Sequence, residues 1–186
     1  MADDAHPVLS VRRASPGDVG ALAEVHVRAW QEAYPGLVPQ DYLDALSVDD
    51  RAVQWTRMLA ETDWPRCGTF VLEDRGAVVG FVHLRPSEDD DASDDVGEVA
   101  ALYVRAGAWG RGGGRALLSA ATAELGRAGC TSVTLWVLGT NERARCFYER
   151  CGWVPDGGEK VHDWVTFVAD DVRYRMDRLP TADAGP

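Results

Sequence analysis

The stretch AWGRGGGRALL, residues 108–118, sets four glycines and two arginines directly in front of an aliphatic run. Upstream lies the β-rich run EVAALYV (98–104), and downstream RALLSAATAELGRAG (115–129) repeats apolar residues at helical spacing until a glycine ends it. The order is therefore strand, glycine turn, helix. The first N–H groups of a helix have no intrahelical acceptor, and the aligned peptide dipoles add partial positive charge there. Such an end attracts phosphate. Glycines let the backbone approach a ligand without intervening Cβ atoms and permit positive φ, and Arg111 and Arg115 add charge. A plain flexible turn is the competing reading.

Two phosphate motifs are excluded by spacing. No lysine lies here, so GxxxxGK[ST] fails, and Gly110, Gly112 and Gly114 are spaced two and two, so GxGxxG fails as well.

Outward from the turn, Val8 to Val11 reads as a strand, and Ser15 and Pro16 suit the start of a helix carrying Val19, Leu22, Ala23, His26, Ala29, Trp30 and Ala33 as far as Pro35-Gly36. A second helical region covers about Asp49 to Glu61. TFVLED and AVVGFVHLR read as a hairpin about Asp74, Arg75 and Gly76. SEDDDASDD (87–95) is expected as a solvated loop, because its carboxylates would repel one another in a packed element. SVTLWVL reads as a strand, NERARCFYERCG as a helix, and WVP and DVRYRM as the last strands. This mixed order implies an α/β or α+β fold with helices on both faces of a central sheet.

The chain has 186 residues, of which 46% are hydrophobic, enough for one sizeable core and too few for two ordinary domains. One domain over residues 8–179 is expected, with 1–7 and 180–186 as flexible tails. MADDAHPV has neither a basic nor an apolar leader segment, and no stretch approaches the roughly 20 apolar residues of a membrane span, so a soluble cytoplasmic protein is expected. A net charge of −11 argues against nucleic acid or anionic membrane as a partner and suits cationic small molecules. Cys67, Cys130, Cys146 and Cys151 lack CxxC spacing, and His26, His83 and His162 have no partner spacing, so no metal is expected.

LYVRAGAWGRGGGRALL resembles the acetyl-CoA motif of the GNAT N-acetyltransferase superfamily: a hydrophobic strand, then Arg/Gln-x-x-Gly-x-Gly/Ala opening a helix. The pattern falls on residues 109–114, with Trp109 where Arg or Gln is usual. NERARCFYERCGW (141–153) resembles the family's Asn-x-x-Ala-x-x-Phe-Tyr-Glu-x-x-Gly-Phe segment, with Trp153 where Phe is common, and VRAWQEAYPGLVP (27–39) looks like its substrate-side helix and loop. The likeness runs from about Val8 to Met176.

What the resemblance implies is a mostly antiparallel sheet whose splayed strand pair holds acetyl-CoA as co-substrate, and acetyl transfer to an amine by direct attack. An amine near its reference pKa of ~10.4 needs a base, the oxyanion needs a donor, and the departing thiolate needs a proton or leaves as such. Glu98 falls where many members carry a catalytic glutamate; its other reading is a surface charge or an arginine's partner. Tyr148 matches the tyrosine placed near the sulfur, although Ala144, Phe147, Tyr148 and Cys151 also form an ordinary core stripe. Leu102, Tyr103 and Val104 match the strand whose backbone holds the pantetheine arm. Trp109, Gly110, Arg111, Gly112, Gly113, Gly114 and Arg115 match the phosphate turn, where family contacts are largely backbone amides. Asn141 suits either the cofactor arm or a helix cap. Trp30 and Tyr34 would line the acceptor side, Trp30 also suiting a core role. The acceptor is expected to be a small cationic amine, with a protein N-terminus or lysine as the alternative. A non-catalytic acyl-CoA sensor is the rival from another class, and a homodimer is compatible with all of these.

Overall fold

The computed structural model describes residues 9–163, 167–177 and 179; Val8, the segments 1–7 and 180–186 expected as tails, and the side chain of His162 lie outside the described residues. Seven strands form one sheet: β1 (Leu9–Arg13), β2 (Gly68–Asp74), β3 (Ala77–Pro86), β4 (Val96–Val104), β5 (Ser132–Leu138), β6 (Val154–Asp163) and β7 (Val168–Met176). Their order is β1-β2-β3-β4-β5-β7-β6. Every pairing is antiparallel except β4 with β5. The β2–β3 hairpin closes on Arg75 and Gly76, whose φ values of 53° and 82° are both positive, as a tight I′-type connection requires.

Period-two alternation sends neighbouring residues to opposite faces of the sheet. Val71 and Phe81 face helices α1 (Val19–Ala33) and α3 (Val48–Ala60), packing on Leu22, Ala23, Val25 and Trp55. Leu72 and Val82 face the other way, onto Leu117, Leu118, Ala121 and Leu125 of α4 (Gly113–Arg127). That second core continues through Tyr148 of α5 (Glu142–Arg150) to Trp153 and Tyr174. Helices thus cover both faces. A short helix that the sequence pattern does not announce, α2 (Gln40–Asp44), buries Leu43 against Trp30 and Val38.

The feature that positions the site is the failure of β4 and β5 to stay together. They pair in parallel only at Val96↔Ser132, Gly97↔Val133 and Glu98↔Thr134. Beyond Glu98, β4 keeps its ladder with β3, interrupted by a bulge opposite His83/Leu84, while β5 runs on beside β7. Bulges bend and twist a strand, and here a wedge opens between Val99–Val104 and Leu135–Leu138. The splayed pair expected from the resemblance is present.

Candidate active site

The wedge is part of a cleft of about 750 Å³ that runs from the glycine turn along β4 to Glu98 and is walled by aromatic residues of α1. At the turn, Gly110 and Gly112 have φ of +74° and +85°, with open space where a Cβ would stand, so backbone conformation is what demands glycine there. Gly113 is small for a different reason: a Cβ on it would lie 2.4 Å from Leu72 Cδ2, because the start of α4 sits directly on the sheet. The first helical bond joins Ala116 N–H to Gly112 O (3.0 Å). The amides of Gly113, Gly114 and Arg115 are therefore left without helical acceptors, and all three residues line the cleft.

Side chains brace this turn. Glu32 of α1 accepts from Arg105 Nε (3.0 Å) and from the Ala106 amide (2.6 Å), tying the turn's first residues to the helix opposite. Arg111 is held by Asp74 at 2.6 Å and is not among the residues lining the cleft. Its charge is spent on anchoring the turn from outside. Besides Arg85 and Lys160 near Glu98, the cations that line the cleft are Arg115, Arg143 and Arg150, and none of these three pairs with a carboxylate among the described residues. Trp109 also lines it, donating its indole N–H to Val104 O at 2.6 Å. Arg143 and Arg150 lie seven residues apart on α5, hence on one side of it, a spacing the sequence displays but the turn-centred reading passes over.

Glu98 sits at the apex of the wedge, the last β4 residue paired to β5, and is only 5% exposed. Arg85, its partner across β3, donates Nε to Glu98 Oε2 at 3.0 Å and reaches Glu88 at 2.8 Å. Burial pushes the Glu98 carboxyl above its ordinary value of 4.5, while Arg85 pulls it back down. Burial excludes the surface-charge reading of Glu98, whereas the arginine pairing is present, and the residue also lines the cleft.

The acidic segment 87–95 is a loop, as expected, but its charges are not simply solvated. Asp89 accepts from Trp136 Nε1 (2.9 Å) and Arg173 (3.2 Å), and Asp91 receives both Nη groups of Arg173 at 2.6 and 2.7 Å. Arg173 also reaches Asp156 at 2.8 Å. This lattice walls a second cavity of about 480 Å³ that shares Arg85, Glu98, Trp136 and Lys160 with the main cleft. None of those partners of Glu98 is marked by sequence spacing.

Tyr148 is 8% exposed, packs on Trp153 and Tyr174, and also lines the cleft. Burial holds its phenol far above 10.0, so it stays protonated. Asn141 caps α5, accepting from the Ala144 amide at 3.1 Å, and lines the cleft as well. Leu102, Tyr103 and Val104 form the free flank of β4 along it. Val104 O is already engaged by Trp109. On the α1 side the Trp30 and Tyr34 rings meet at 4.7 Å, tilted by 34°, with Tyr103 and Phe167 beside them. Desolvation raises the phenols of Tyr34 and Tyr103, which leaves this wall neutral.

His26 and His83 pack into the face covered by α1 and α3. Burial lowers their pKa values to about 3 and about 4; His26 packs among Trp55, Phe81 and Tyr103, and His83 Nδ1 lies 2.9 Å from Thr69 Oγ1. Among the described residues, no three His, Cys, Asp or Glu side chains are grouped to hold a metal, and no helix is long and apolar enough to cross a membrane.

A cradle of free amides and arginines opening onto a wedge between parallel strands suits a phosphate-bearing ligand whose far end reaches into the sheet. The chain belongs to the acetyltransferase (GNAT) family, whose model matches residues 26–153, and acetyl-CoA is its acetyl donor. Its relatives include the uncharacterised N-acetyltransferase YuaI of Bacillus subtilis, 31% identical over 135 residues, which cover 72% of this chain and 74% of YuaI. A mycothiol acetyltransferase of Amycolatopsis mediterranei is 33% identical over 161 residues; the match covers 82% of this chain but 50% of that protein. Among solved structures, PaiA N-acetyltransferase of Thermoplasma acidophilum in complex with coenzyme A superposes with a TM-score of 0.68 at 19% identity, covering 92% of this chain and 99% of that one. The ribosomal-protein-alanine N-acetyltransferase of Brucella melitensis gives 0.70 at 20%, covering 91% and 99%. These two likenesses concern the fold. Membership of an acetyltransferase family supports the enzyme reading over the acyl-CoA sensor.

Proposed function

We propose that the protein transfers acetyl from acetyl-CoA to a small primary amine that is cationic in solution, with Glu98 as base and Tyr148 as acid. The observation that carries this reading is the placement of Glu98: a buried carboxylate at the apex of the wedge, in the same cleft as the phosphate turn and the aromatic wall. The free amides of Gly113, Gly114 and Arg115, with Trp109, Gly110 and Gly112 completing the turn, receive the donor's phosphates. The flank of β4 at Leu102 and Tyr103, with Asn141 opposite, lies along its arm. Acetyl-CoA supplies the activated acyl carbon.

Glu98, directly or through a water, accepts a proton from the acceptor ammonium, and the freed nitrogen pair attacks the thioester carbon. As the C–S bond breaks, the sulfur takes the electron pair and a proton from the phenol of Tyr148, which recovers a proton from the acetylated nitrogen as that nitrogen gives up the second of its ammonium hydrogens. Trp30 and Tyr34 form a wall against which the acceptor's carbon skeleton lies. This reading treats residues 8–179 as one N-acetyltransferase domain, supported by a single sheet that runs from Leu9 to Met176.

Thiol release on mixing acetyl-CoA with a panel of primary amines and short peptides tests the proposal. Amine-dependent release that is lost in Glu98→Gln, with acetyl-CoA binding retained, supports it. Release that continues in Glu98→Gln removes Glu98 from the chemistry, and release with peptides alone overturns the small-amine acceptor.

A further inference from the structure

Trp109 departs from the pattern around it, and the structure shows what it holds. Trp109 is 39% exposed and lines the cleft, its ring is fixed in orientation by the indole bond to Val104 O, and the Arg143 guanidinium carbon lies 3.6 Å from the ring centroid. A carbon so close to the ring requires a nearly parallel guanidinium, since a steep tilt would drive a nitrogen into the indole. Stacking of that kind leaves the in-plane N–H donors facing outward, in the fork geometry that suits a phosphate.

Arg143 stands in the first turn of α5, where the helix dipole disfavours a cation, and no acceptor among the described residues meets its donors. The Trp109 ring holds this charge in place, and no carboxylate among the described residues pairs with it. The residue after Trp109 is Gly110, the first left-handed residue of the turn. Arg115, by contrast, is partly engaged with Arg150 O at 3.2 Å, and Arg111 is bound to Asp74.

We infer that Trp109 and Arg143 act as one unit, the indole as platform and the guanidinium as contact, which grips the diphosphate of the acetyl donor beside the glycine turn. The inference rests on the acetyl-CoA reading above. It assigns the motif's missing cation to a residue 34 positions downstream of the tryptophan.

Calorimetric titration of the purified protein with acetyl-CoA, 3′-dephospho-acetyl-CoA and S-acetylpantetheine tests it, with Arg143→Met, Trp109→Leu and the double variant. Loss of a charge-assisted contact should raise Kd for acetyl-CoA about tenfold in Arg143→Met. The same loss is expected with the dephospho donor, and none with S-acetylpantetheine, which has no phosphate. The double variant should be no weaker than the worse single one, because Arg143 acts through Trp109. Unchanged donor affinity in Arg143→Met, additive losses, or a loss that disappears with the dephospho donor would each overturn the inference. Arg143 is exposed, so its replacement leaves folding intact and carries the decision. If the wild-type protein binds no acetyl-CoA, the functional reading falls first; if it binds and Arg143→Met binds equally, only this inference falls.

Discussion

The two ends of the wedge are made of different materials. At the turn, the donors are backbone amides held by left-handed glycines, with Arg115, Arg143 and Arg150 left without carboxylate partners among the described residues. At Glu98, the groups are side chains from β3 to β7 and the acidic loop, and two arginines hold five carboxylates between them: Arg85 with Glu98 and Glu88, Arg173 with Asp89, Asp91 and Asp156. The first end is electrostatically unsatisfied by the protein itself, and so is poised for an anion. The second is largely satisfied, so its chemistry depends on how strongly Arg85 restrains Glu98. Changes at the turn should act through backbone shape, and changes near Glu98 through proton affinity.

The largest effect should follow Glu98→Gln, which removes the base while keeping the shape: kcat should fall by about 10²–10⁴-fold with acetyl-CoA affinity unchanged. For the wild type, the acidic limb of kcat/KM should lie above the ordinary 4.5 of a glutamate, because burial disfavours the carboxylate. Arg85→Met removes the cation that lowers this pKa, so the limb should move to higher pH. A limb that stays in place would break the link between the lattice and the base.

Gly113→Ala probes the other end. The added Cβ meets Leu72 Cδ2 at 2.4 Å, and overpacking of this kind should cost about 1–3 kcal/mol in urea unfolding, with weaker acetyl-CoA binding. Unaltered stability would mean that α4 is not seated on the sheet as described. Tyr148→Phe should lower kcat by only about tenfold, because a thiol with a reference pKa of about 8.5 is a fair leaving group even without a proton donor. Loss of donor affinity without loss of kcat would make Tyr148 a packing residue.

The smallest effect concerns acid. His26 and His83 lie on the side of the sheet covered by α1 and α3, with folded pKa values of about 3 and about 4 against an ordinary 6.5. Between those limits only the unfolded chain takes up the proton, so stability falls as pH drops below 6.5, levelling off below about 4 for His83 and about 3 for His26. Each histidine should cost about 1 kcal/mol between pH 6.5 and 5.5. Hydrogen exchange at pH 5 should therefore loosen α1 and the aromatic wall ahead of the glycine turn, and His83→Gln should flatten the pH dependence. Equal loosening at both ends would erase the contrast.

The turn could be read from sequence because its demands are local: positive φ at Gly110 and Gly112 and a strand-to-helix change of period lie within a few residues of one another. The same locality made β5 legible at its observed bounds, Ser132–Leu138. Other positions required the fold. Whether Arg111 faces a ligand or Asp74 depends on a strand 37 residues away, and Glu98's partner Arg85 is fixed by the β3–β4 register. The clasp of Arg173 on the acidic loop spans 82 and 84 residues, so a run that reads as solvated charge becomes a cavity wall. Helix α2 is too short for a periodic signal, and β6 and β7 extend beyond the apolar runs that announce them because their outer residues are held by pairing with each other.

The most direct test of the central claim, that the donor's phosphates seat on the turn while its acyl end reaches Glu98, is an amide NMR titration with acetyl-CoA. Saturating one-to-one shifts concentrated at Gly110–Arg115, continuing along Leu102–Val104 to Glu98, are the predicted result. Shifts confined to the acidic loop and the Arg173 lattice, with the turn amides unmoved, would contradict it.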